Sequence, residues 1–284
     1  MSGRDWPASL LIVRGMPSAG PAGGDGAVPL GLLSGPSPAA ALSQRGQVRK
    51  RQPLDAPVSW PTVERMLTSE AHVWLTDAGE LAARRPDWLD PEERARWRRY
   101  LRDFDRDLFL VAHTHLRATL SRYADTTPAR WRFERRRDGR PELSVDQPSC
   151  ALRFNLSHTE GLVACVVTHG AACGIDVERE GRIADRAGIV ALAFHDDERA
   201  AVARSPRDFL TYWTLKESYV KATGAGLRVP LADIRFELGD EPSVSFDKGR
   251  DTPKGWRFAH SRPTGQHHLA VALRPARALR VYWA

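Results

Sequence analysis

The chain has 284 residues and a mass of 31.6 kDa, enough for one large domain or two smaller ones that each bury a hydrophobic core. Hydrophobic residues make up 42% and charged residues 27%, which excludes a wholly disordered chain. The formal net charge is +7, and nearly all of the excess lies between Arg84 and Arg140, where sixteen arginines and no lysine face ten acidic residues. This distribution predicts a phosphate, a nucleic acid or an acidic protein as a partner.

Cysteine usage and hydropathy indicate a soluble protein of a reducing compartment. Cys150, Cys165 and Cys173 are odd in number and have no C-x-x-C spacing, so neither a disulfide framework nor a zinc site is predicted. The apolar run 10–13 is too short for a signal peptide, and no run approaches the length that spans a membrane. We therefore expect a cytoplasmic protein without membrane contact.

The first half of the chain changes character near Trp60. Residues 1–56 hold nine glycines and seven prolines without sustained periodicity, which predicts a disordered extension. The alternation at 71–75 predicts a strand, and Asp90-Pro91 is typical of a helix start, so a long helical region is expected from there to about Tyr123. A strand at 130–133 and a tight turn at 138–141 follow.

The second half is predicted to alternate strands with two helices. Strands are expected at 152–156, 162–167, 174–178, 234–238, 244–246, 256–260 and 268–273. Helices are expected at 184–203 and 207–223, the second ending before Gly224 as a C-terminal cap. This is an α+β pattern with two halves of similar content, although no internal sequence repeat is visible.

Two acidic residues on the strand at 174–178 form a candidate metal site. Alternation turns Ile175 and Val177 to one face and Asp176 and Glu178 to the other, with the acidic Cα atoms about 6.6 Å apart. Oxygen ligands suit Mg²⁺, which usually binds a few carboxylates together with water and substrate phosphates. Taken alone the pattern is weak, because an edge strand with an acidic solvent face has the same alternation.

A stripe on the helix at 207–223 adds further candidates. Trp213, Glu217 and Lys221 are spaced i, i+4, i+8 and share one face. Glu217 is a candidate third metal ligand or general base, and Lys221 a cation for a phosphate. The alternative is a surface ion pair beside a buried tryptophan. Lys216 points about 100° away from Glu217 and could serve a different contact.

The segment Phe154–Thr159 ends a predicted strand in small hydrogen-bonding residues. Ser157 and His158 make a poor nucleophilic pair, because adjacent side chains on an extended chain point apart. They are better interpreted as donors to a phosphate or nucleotide, and a structural role for His158 stays open.

Four ordered motifs resemble those of Sfp-type 4′-phosphopantetheinyl transferases, and the resemblance covers roughly residues 70–275. The motifs are Gly139–Pro141, Phe154–Thr159, Gly174–Glu178 and Trp213–Lys221. The resemblance implies an α+β fold of two similar α/β halves related by a pseudo-twofold axis, with coenzyme A in the cleft between them. The halves would be residues 57–172, binding coenzyme A, and residues 173–284, carrying magnesium and the catalytic residues.

The same resemblance assigns roles residue by residue. The magnesium ligands would be Asp176, Glu178 and Glu217, and the catalytic residues Glu217 and Lys221. The contacts to coenzyme A would be Arg96, Arg106, Arg117, Gly139, Arg140, Pro141, Ser157, His158 and Lys221, where the first three rest on helix position alone. Arg140 stands where the family usually has lysine, and it keeps a cationic donor for a phosphate. Thr159 stands where the family commonly has serine, and it keeps the hydroxyl group.

The activity implied by the resemblance is magnesium-dependent transfer of 4′-phosphopantetheine from coenzyme A to a serine of an acidic acyl- or peptidyl-carrier protein. The product 3′,5′-ADP would leave, the enzyme would be a monomer, and the carriers would serve fatty acid, polyketide or nonribosomal peptide synthesis.

Three alternatives remain. A nucleic-acid-binding protein fits the arginine-rich segment, but it leaves the acidic residues unexplained and lacks a recognition motif, so we expect no nucleic acid partner. Another metal-dependent phosphoryl or nucleotidyl transferase would use the same acidic residues on a different substrate. An inactive member of the family is the third alternative, although every acidic residue that the chemistry needs is present.

Overall fold

The computed structural model describes residues 66–80, 84–135, 139–147, 151–226 and 229–284, together with the short strand 48–49. Apart from that strand, the predicted disordered extension 1–56 lies outside the described residues, as does Cys150. The strands are β1 (Val48–Arg49), β2 (Glu70–Asp77), β3 (Phe133–Arg135), β4 (Pro141–Leu143), β5 (Leu152–Thr159), β6 (Leu162–His169), β7 (Ala172–Arg179), β8 (Ile234–Glu237), β9 (Ser243–Phe246), β10 (Arg257–Thr264), β11 (His267–Arg274) and β12 (Ala278–Trp283). The helices are α1 (Pro91–Arg99), α2 (Asp103–Leu120), α3 (Arg186–Ala193), α4 (Asp196–Arg204) and α5 (Phe209–Thr223).

Two sheets form the centre of the fold. The first has the strand order β1-β12-β2-β6-β5 and the second the order β10-β11-β7, while β3 pairs with β4 and β8 with β9. In the first sheet β6 runs antiparallel to both β2 and β5, whereas β12 is parallel to both β1 and β2. The second sheet is antiparallel throughout. The mixed helices and sheets confirm the predicted α+β class.

The sheets pack face to face and each carries a helix on its outer side. Between them lies a core of small and branched side chains that includes Val73, Val166, Ile175 and Val271. Helix α2 packs on the outer face of the first sheet in one cluster, and α5 packs on the outer face of the second in another. Because each sheet has two apolar faces to bury, this helix–sheet–sheet–helix layering leaves β7 between the first sheet and α5.

The register of β7 fixes which way its acidic residues face. Val177 pairs with Leu269, and both belong to the core between the sheets, whereas Asp176 pairs with Ala270, which packs in the cluster under α5. The predicted alternation is therefore confirmed, because the apolar residues face the other sheet and the acidic ones face α5.

Gly174 brings α5 close to β7. A Cβ atom at this position would lie 2.0 Å from the carbonyl oxygen of Ser218 and 2.4 Å from the amide nitrogen of Ala222. No side chain larger than hydrogen fits without moving the helix. The glycine therefore allows the helix that carries Glu217 and Lys221 to lie directly against the strand that carries Asp176.

The two long helices predicted from periodicity are each broken. The region from residue 91 divides at Tyr100 to Arg102, and the ring of Tyr100 lies 5.4 Å from that of Phe109. The region 184–203 divides at Phe194, whose extended backbone buries the ring completely. His195 then starts α4 with a capping box. A buried ring and a new cap therefore mark the second break, whereas Tyr100 at the first break is only partly buried and Arg102 forms no side-chain cap. The predicted end of α5 at Gly224 is confirmed by its φ of 67°.

The last strand, β12, lies in the first sheet, next to β2. Strand β12 was not predicted, and it joins the first sheet through Val281 opposite Val73. The ring of Tyr282 stacks on that of Trp74 at 4.5 Å. The second half therefore contributes its final strand to the sheet of the first.

The other predicted strands are present and most are longer than predicted, but the one predicted at 130–133 begins only at Phe133, after a 3₁₀ turn at Pro128–Arg130. No described helix combines the length and the apolar character needed to cross a bilayer.

Candidate active site

An open cavity of about 90 Å³ lies where α2 meets β5 and β7. Its lining residues are Tyr100, Asp105, Leu108, Ser157, His158, Thr159, Asp176, Val177, Glu178, Arg182 and Ile183. The structure thus brings four predicted site residues from two separate strands to one cleft. Glu217 and Lys221 do not line it, but Lys221 reaches it through a bond to Asp176.

Asp176 is the centre of the polar contacts in this cleft. Its side chain is 1% exposed, and Oδ1 accepts hydrogen bonds from Lys221 Nζ at 2.5 Å and from Ser157 Oγ at 3.1 Å. The other oxygen, Oδ2, is buried and has no hydrogen-bond partner among the residues that the structure describes. A buried carboxylate oxygen without a donor is unfavourable unless a ligand supplies the missing contact.

The polar side chains of β5 hold the free edge of β7. Ser157 Oγ accepts hydrogen bonds from the amide of Val177 at 3.2 Å and from Lys221 Nζ at 3.0 Å, and Asn155 Oδ1 accepts one from the amide of Ile175 at 2.9 Å. Alternate polar residues on β5 therefore satisfy the edge amides of β7. Ser157 has this structural role in addition to the coenzyme A contact that the sequence predicts.

Two further acidic residues add negative charge around Asp176. Burial and the neighbouring Asp176 raise the pKa of Glu178 to about 8, and the same two causes raise the pKa of Glu217 to about 7. The charge of Lys221 lowers both pKa values but does not cancel the rise. The cluster therefore holds more carboxylates than its lysine can neutralise.

This donor set fits a hard divalent cation whose coordination is completed by substrate. Among the described residues no three His, Cys, Asp or Glu side chains are close enough to hold a metal ion by themselves. Mg²⁺, however, commonly binds one or two carboxylates and takes its other ligands from water and phosphate. The unpartnered oxygen of Asp176 and the raised pKa values of Glu178 and Glu217 agree with such an open oxygen site.

His158 lines the cleft as a neutral side chain. Burial, together with the charges of His113 and Lys221, lowers its pKa to about 4. At neutral pH its imidazole therefore offers one hydrogen-bond donor and one acceptor but no charge. Such a group suits a hydrogen bond to a nucleotide better than an ion pair with a phosphate.

Arg117, predicted to contact coenzyme A, lies in the core instead. It is completely buried, and its guanidinium donates to the carbonyl oxygens of Pro128 at 3.0 Å and Trp131 at 2.8 Å and to Glu93 Oε2 at 2.5 Å. The sequence correctly predicted that Arg117 lies on a helix, but it did not show that the side chain faces the core. We therefore remove Arg117 from the proposed phosphate contacts.

The other two helix arginines lie nearer the surface. Arg106 is partly exposed and pairs with Asp103 on the same helix. The guanidinium of Arg96 lies 5.4 Å above the ring of Phe109. Arg96 also lines a second, smaller cavity of about 20 Å³ that Pro141 borders. The contacts of Arg96 and Arg106 with coenzyme A stay predictions.

The turn at 139–141 places Arg140 between the two halves. Gly139 has a φ of 86°, as the predicted turn requires. Both terminal nitrogens of the Arg140 guanidinium donate to carbonyl oxygens within 3.1 Å, contributed by Phe154, Cys173, Lys221 and Ala222. The guanidinium of Arg140 thus contacts the main chain of both halves, and its contact with coenzyme A stays a prediction.

Several residues of this region were not identified from the sequence. Tyr100 and Asp105 line the cleft from the break between α1 and α2 and the first turn of α2, a break that the prediction of a single helix concealed. Arg182 and Ile183 line it from the segment just after β7, and their closeness to the paired acidic residues is the signal that points to them. Lys216, predicted to make a different contact, is completely buried against Glu198 at 2.8 Å.

Two family models match adjacent parts of the chain. The model described as 4′-phosphopantetheinyl transferase superfamily matches residues 172–272, and the one described as 4′-phosphopantetheinyl transferase, N-terminal, matches residues 78–169. The matches meet between β6 and β7 and include every residue that lines the cleft.

Curated relatives have related names. The chain is 29% identical over 216 residues to the 4′-phosphopantetheinyl transferase HetI of Nostoc sp. (strain PCC 7120), covering 73% of this chain and 89% of the relative. It is 27% identical over 187 residues to the 4′-phosphopantetheinyl transferase Sfp of Bacillus subtilis (strain 168), covering 61% and 81%. It is 25% identical over 232 residues to the human L-aminoadipate-semialdehyde dehydrogenase-phosphopantetheinyl transferase, covering 71% and 74%.

A solved structure of Thermotoga maritima holo-[acyl-carrier-protein] synthase also matches, with a TM-score of 0.31 and 19% identity over 37% of this chain and 64% of that one. Two models of one superfamily span most of residues 78–272, and the buried acidic cluster lies inside them. The chain belongs to the 4′-phosphopantetheinyl transferase superfamily.

Proposed function

We propose that this protein is an Sfp-type transferase that moves the 4′-phosphopantetheine group of coenzyme A to a serine of an acyl- or peptidyl-carrier protein. The reaction would convert the apo carrier to the holo form and release 3′,5′-ADP. The observation that carries the proposal is the group of three carboxylates near Lys221, of which Asp176 and Glu178 line the cleft and Glu217 is buried behind it. A pyrophosphate substrate with a divalent cation supplies the positive charge and the phosphate ligands that this cluster lacks.

Asp176, Glu178 and Glu217 are the proposed ligands of Mg²⁺. When bound, the ion would neutralise charge on the pyrophosphate oxygens of coenzyme A. Asp176 offers the buried Oδ2 that has no donor within the described part of the chain. Release of Lys221 from Oδ1 would free the second oxygen of the same carboxylate.

Proton removal from the carrier serine is the proposed role of Glu217. Its pKa, raised to about 7 by burial and by Asp176, suits a base that works near neutral pH, directly or through a water molecule. The serine oxygen would then form a bond to the β-phosphorus of coenzyme A. The bond from that phosphorus to the oxygen of 3′,5′-ADP would break, and the leaving group would take its electron pair.

Lys221 is the proposed cation for the transferring phosphoryl group. Its ammonium already lies within hydrogen-bond distance of two side chains of the cluster, Asp176 and Ser157. A phosphate oxygen that replaces one of these contacts would keep the charge paired. His158 would donate a neutral hydrogen bond to the nucleotide, and Arg96 and Arg106 would contact its phosphates from α1 and α2.

Charge and topology support an acidic carrier protein and a monomeric enzyme. An acidic carrier would complement the net charge of +7, and its serine would enter at the cleft. Residues of both halves line the cleft, so a monomer would carry a complete site, and we propose a cytoplasmic location for it. Light scattering coupled to size-exclusion chromatography would measure the mass in solution.

Intact mass spectrometry tests the activity directly. Apo carrier proteins of the fatty acid, polyketide and nonribosomal peptide types are incubated with the protein, coenzyme A and Mg²⁺. We expect a mass gain of one phosphopantetheine that EDTA abolishes and that excess Mg²⁺ restores. Transfer that is unaffected by EDTA would contradict the metal role. No transfer to any carrier, together with no binding of coenzyme A by calorimetry, would contradict the function.

A further inference from the structure

The guanidinium of Arg140 joins three segments of the chain. One terminal nitrogen donates to the carbonyl oxygens of Lys221 at 2.7 Å and Ala222 at 3.0 Å. The other donates to the carbonyl oxygens of Phe154 at 3.0 Å and Cys173 at 3.1 Å. These acceptors belong to the last turn of α5, to β5 and to the start of β7. Arg140 thus connects a strand of the first half to a strand and a helix of the second.

Two of these bonds cap the end of α5. The last carbonyl groups of a helix have no partner within the helix. Here Val220 accepts from the amide of Gly224, while Lys221 and Ala222 accept from Arg140. A cation at this end also interacts favourably with the helix dipole.

The cap lies on the backbone of a residue whose side chain belongs to the site. Lys221 gives its carbonyl oxygen to Arg140, and its ammonium bonds to Asp176 on β7 and Ser157 on β5. Arg140 bonds to the same two strands through Cys173 and Phe154. The backbone of Lys221 is therefore fixed relative to both strands that supply its side-chain partners.

We propose that Arg140 is a positioning residue, which aligns the Lys221 ammonium by capping α5 against β5 and β7, and that it does not bind a phosphate of coenzyme A. The effect of this alignment on phosphopantetheine transfer rests on the proposed function, whereas the contacts of Arg140 do not depend on it. Moving the guanidinium to a phosphate would remove donors from all four carbonyl oxygens. In this chain a lysine would reach fewer of the four acceptors, because a single ammonium lacks the planar fork of donors that a guanidinium has.

The test compares Arg140→Lys with Arg153→Lys. Arg153 is a matched control, because it lies on β5 next to Phe154 but pairs with Glu142 inside the first half, at 2.5 Å. For each full-length protein we would measure kcat with saturating coenzyme A, KM and Kd for coenzyme A, and hydrogen–deuterium exchange of the peptide covering 217–226. Arg140→Gln serves as a second variant that keeps a side-chain donor without the charge.

We expect Arg140→Lys and Arg140→Gln to lower kcat by at least about tenfold, since a displacement of about 1 Å can cost about a hundredfold. The Kd of coenzyme A should stay within about threefold, a difference of under 1 kcal/mol. Exchange at the end of α5 should become faster, and Arg153→Lys should change neither kcat nor exchange.

A weaker Kd for coenzyme A with unchanged kcat and unchanged exchange would overturn the proposal and restore the phosphate contact. The proposal would also be overturned if the Arg140 variants matched the wild type in kcat, in Kd for coenzyme A and in exchange. If the wild-type protein transfers nothing, the proposed function fails, but the exchange data still decide whether Arg140 holds α5. Faster exchange in the Arg140 variants supports that cap, and equal exchange refutes it.

Discussion

Two buried clusters of charged residues in this protein differ in charge balance. In the first half, Glu93 accepts from Arg117 at 2.5 Å and contacts His113 Nδ1 at 2.7 Å. Burial alone would raise the pKa of Glu93, but the hydrogen bond to His113 and the charges of His113 and Arg117 lower it to about 2. In the second half, burial and like charge raise the pKa values of Glu178 and Glu217 instead.

This difference in charge balance supports a structural role for the first cluster and the proposed metal-binding role for the second. A buried carboxylate with matched partners stays ionised and holds its neighbours together. A cluster with surplus carboxylates is unfavourable by itself and becomes favourable when a cation arrives. The two clusters contain similar residue types, so composition does not distinguish them; the balance of charge around each one does.

Replacing Arg117 by methionine should break the balanced cluster and have the largest effect. The variant leaves Glu93 buried without its main cation, so we expect the free energy of unfolding to fall by about 3–5 kcal/mol, measured by denaturant titration. The control Arg106→Met removes the partly exposed pair with Asp103 and should cost less than about 1 kcal/mol. Equal losses in both variants would contradict the assignment of Arg117 to the core.

Replacing Asp176 by asparagine should leave the fold intact and remove activity. Asparagine keeps an oxygen acceptor for Lys221 and Ser157 but loses the charge, so we expect kcat to fall by about 10²–10³, as when one preorganised electrostatic contact is lost. Asp105→Asn changes another acidic residue of the cleft and should retain most activity. Turnover of Asp176→Asn at the wild-type rate would refute the metal site.

Replacing Glu178 by glutamine should raise stability in the absence of divalent cations. The folded pKa of about 8 exceeds the ordinary value of 4.5, so the stability due to the protonated carboxyl is complete below pH 4.5 and is lost as the pH rises to about 8. Glutamine does not ionise, so the variant should not lose stability over this pH range. Each pKa unit of difference between the folded and unfolded states corresponds to about 1.4 kcal/mol of stability.

The melting temperature in EDTA at pH 5 and pH 8 measures this effect. The difference between the two pH values should be smaller in Glu178→Gln than in the wild type, whereas the exposed Glu92→Gln should match the wild type. A larger pH dependence in Glu178→Gln would show that the carboxylates are not in surplus.

Local patterns predicted most of the strands and part of the site. The period-2 alternation of 174–178 correctly predicted that Asp176 and Glu178 lie on the same face of the strand, because successive side chains of an extended chain point to opposite faces. The i, i+4 spacing of Glu217 and Lys221 likewise put both residues on the helix face that meets Asp176. The α+β class followed from the order of these elements.

The failures have one cause, which is that partners distant in sequence decided the outcome. Periodicity continued through Tyr100, whose partly buried ring lies 5.4 Å from that of Phe109, and through Phe194, whose ring is completely buried. Strand β12 forms because a parallel neighbour, β2, is available to pair with it.

The sequence by itself determined the local elements, the residue types of the site and the resemblance to the family. The tertiary structure alone decided which charged residues are paired in the core and which line the cleft. Arg117 and Arg140 have the same side chain as Arg106, but one is paired in the core and the other caps α5 across the two halves. The physical reason is that the role of a guanidinium depends on the acceptors around it, and chain segments far apart in sequence supply those acceptors.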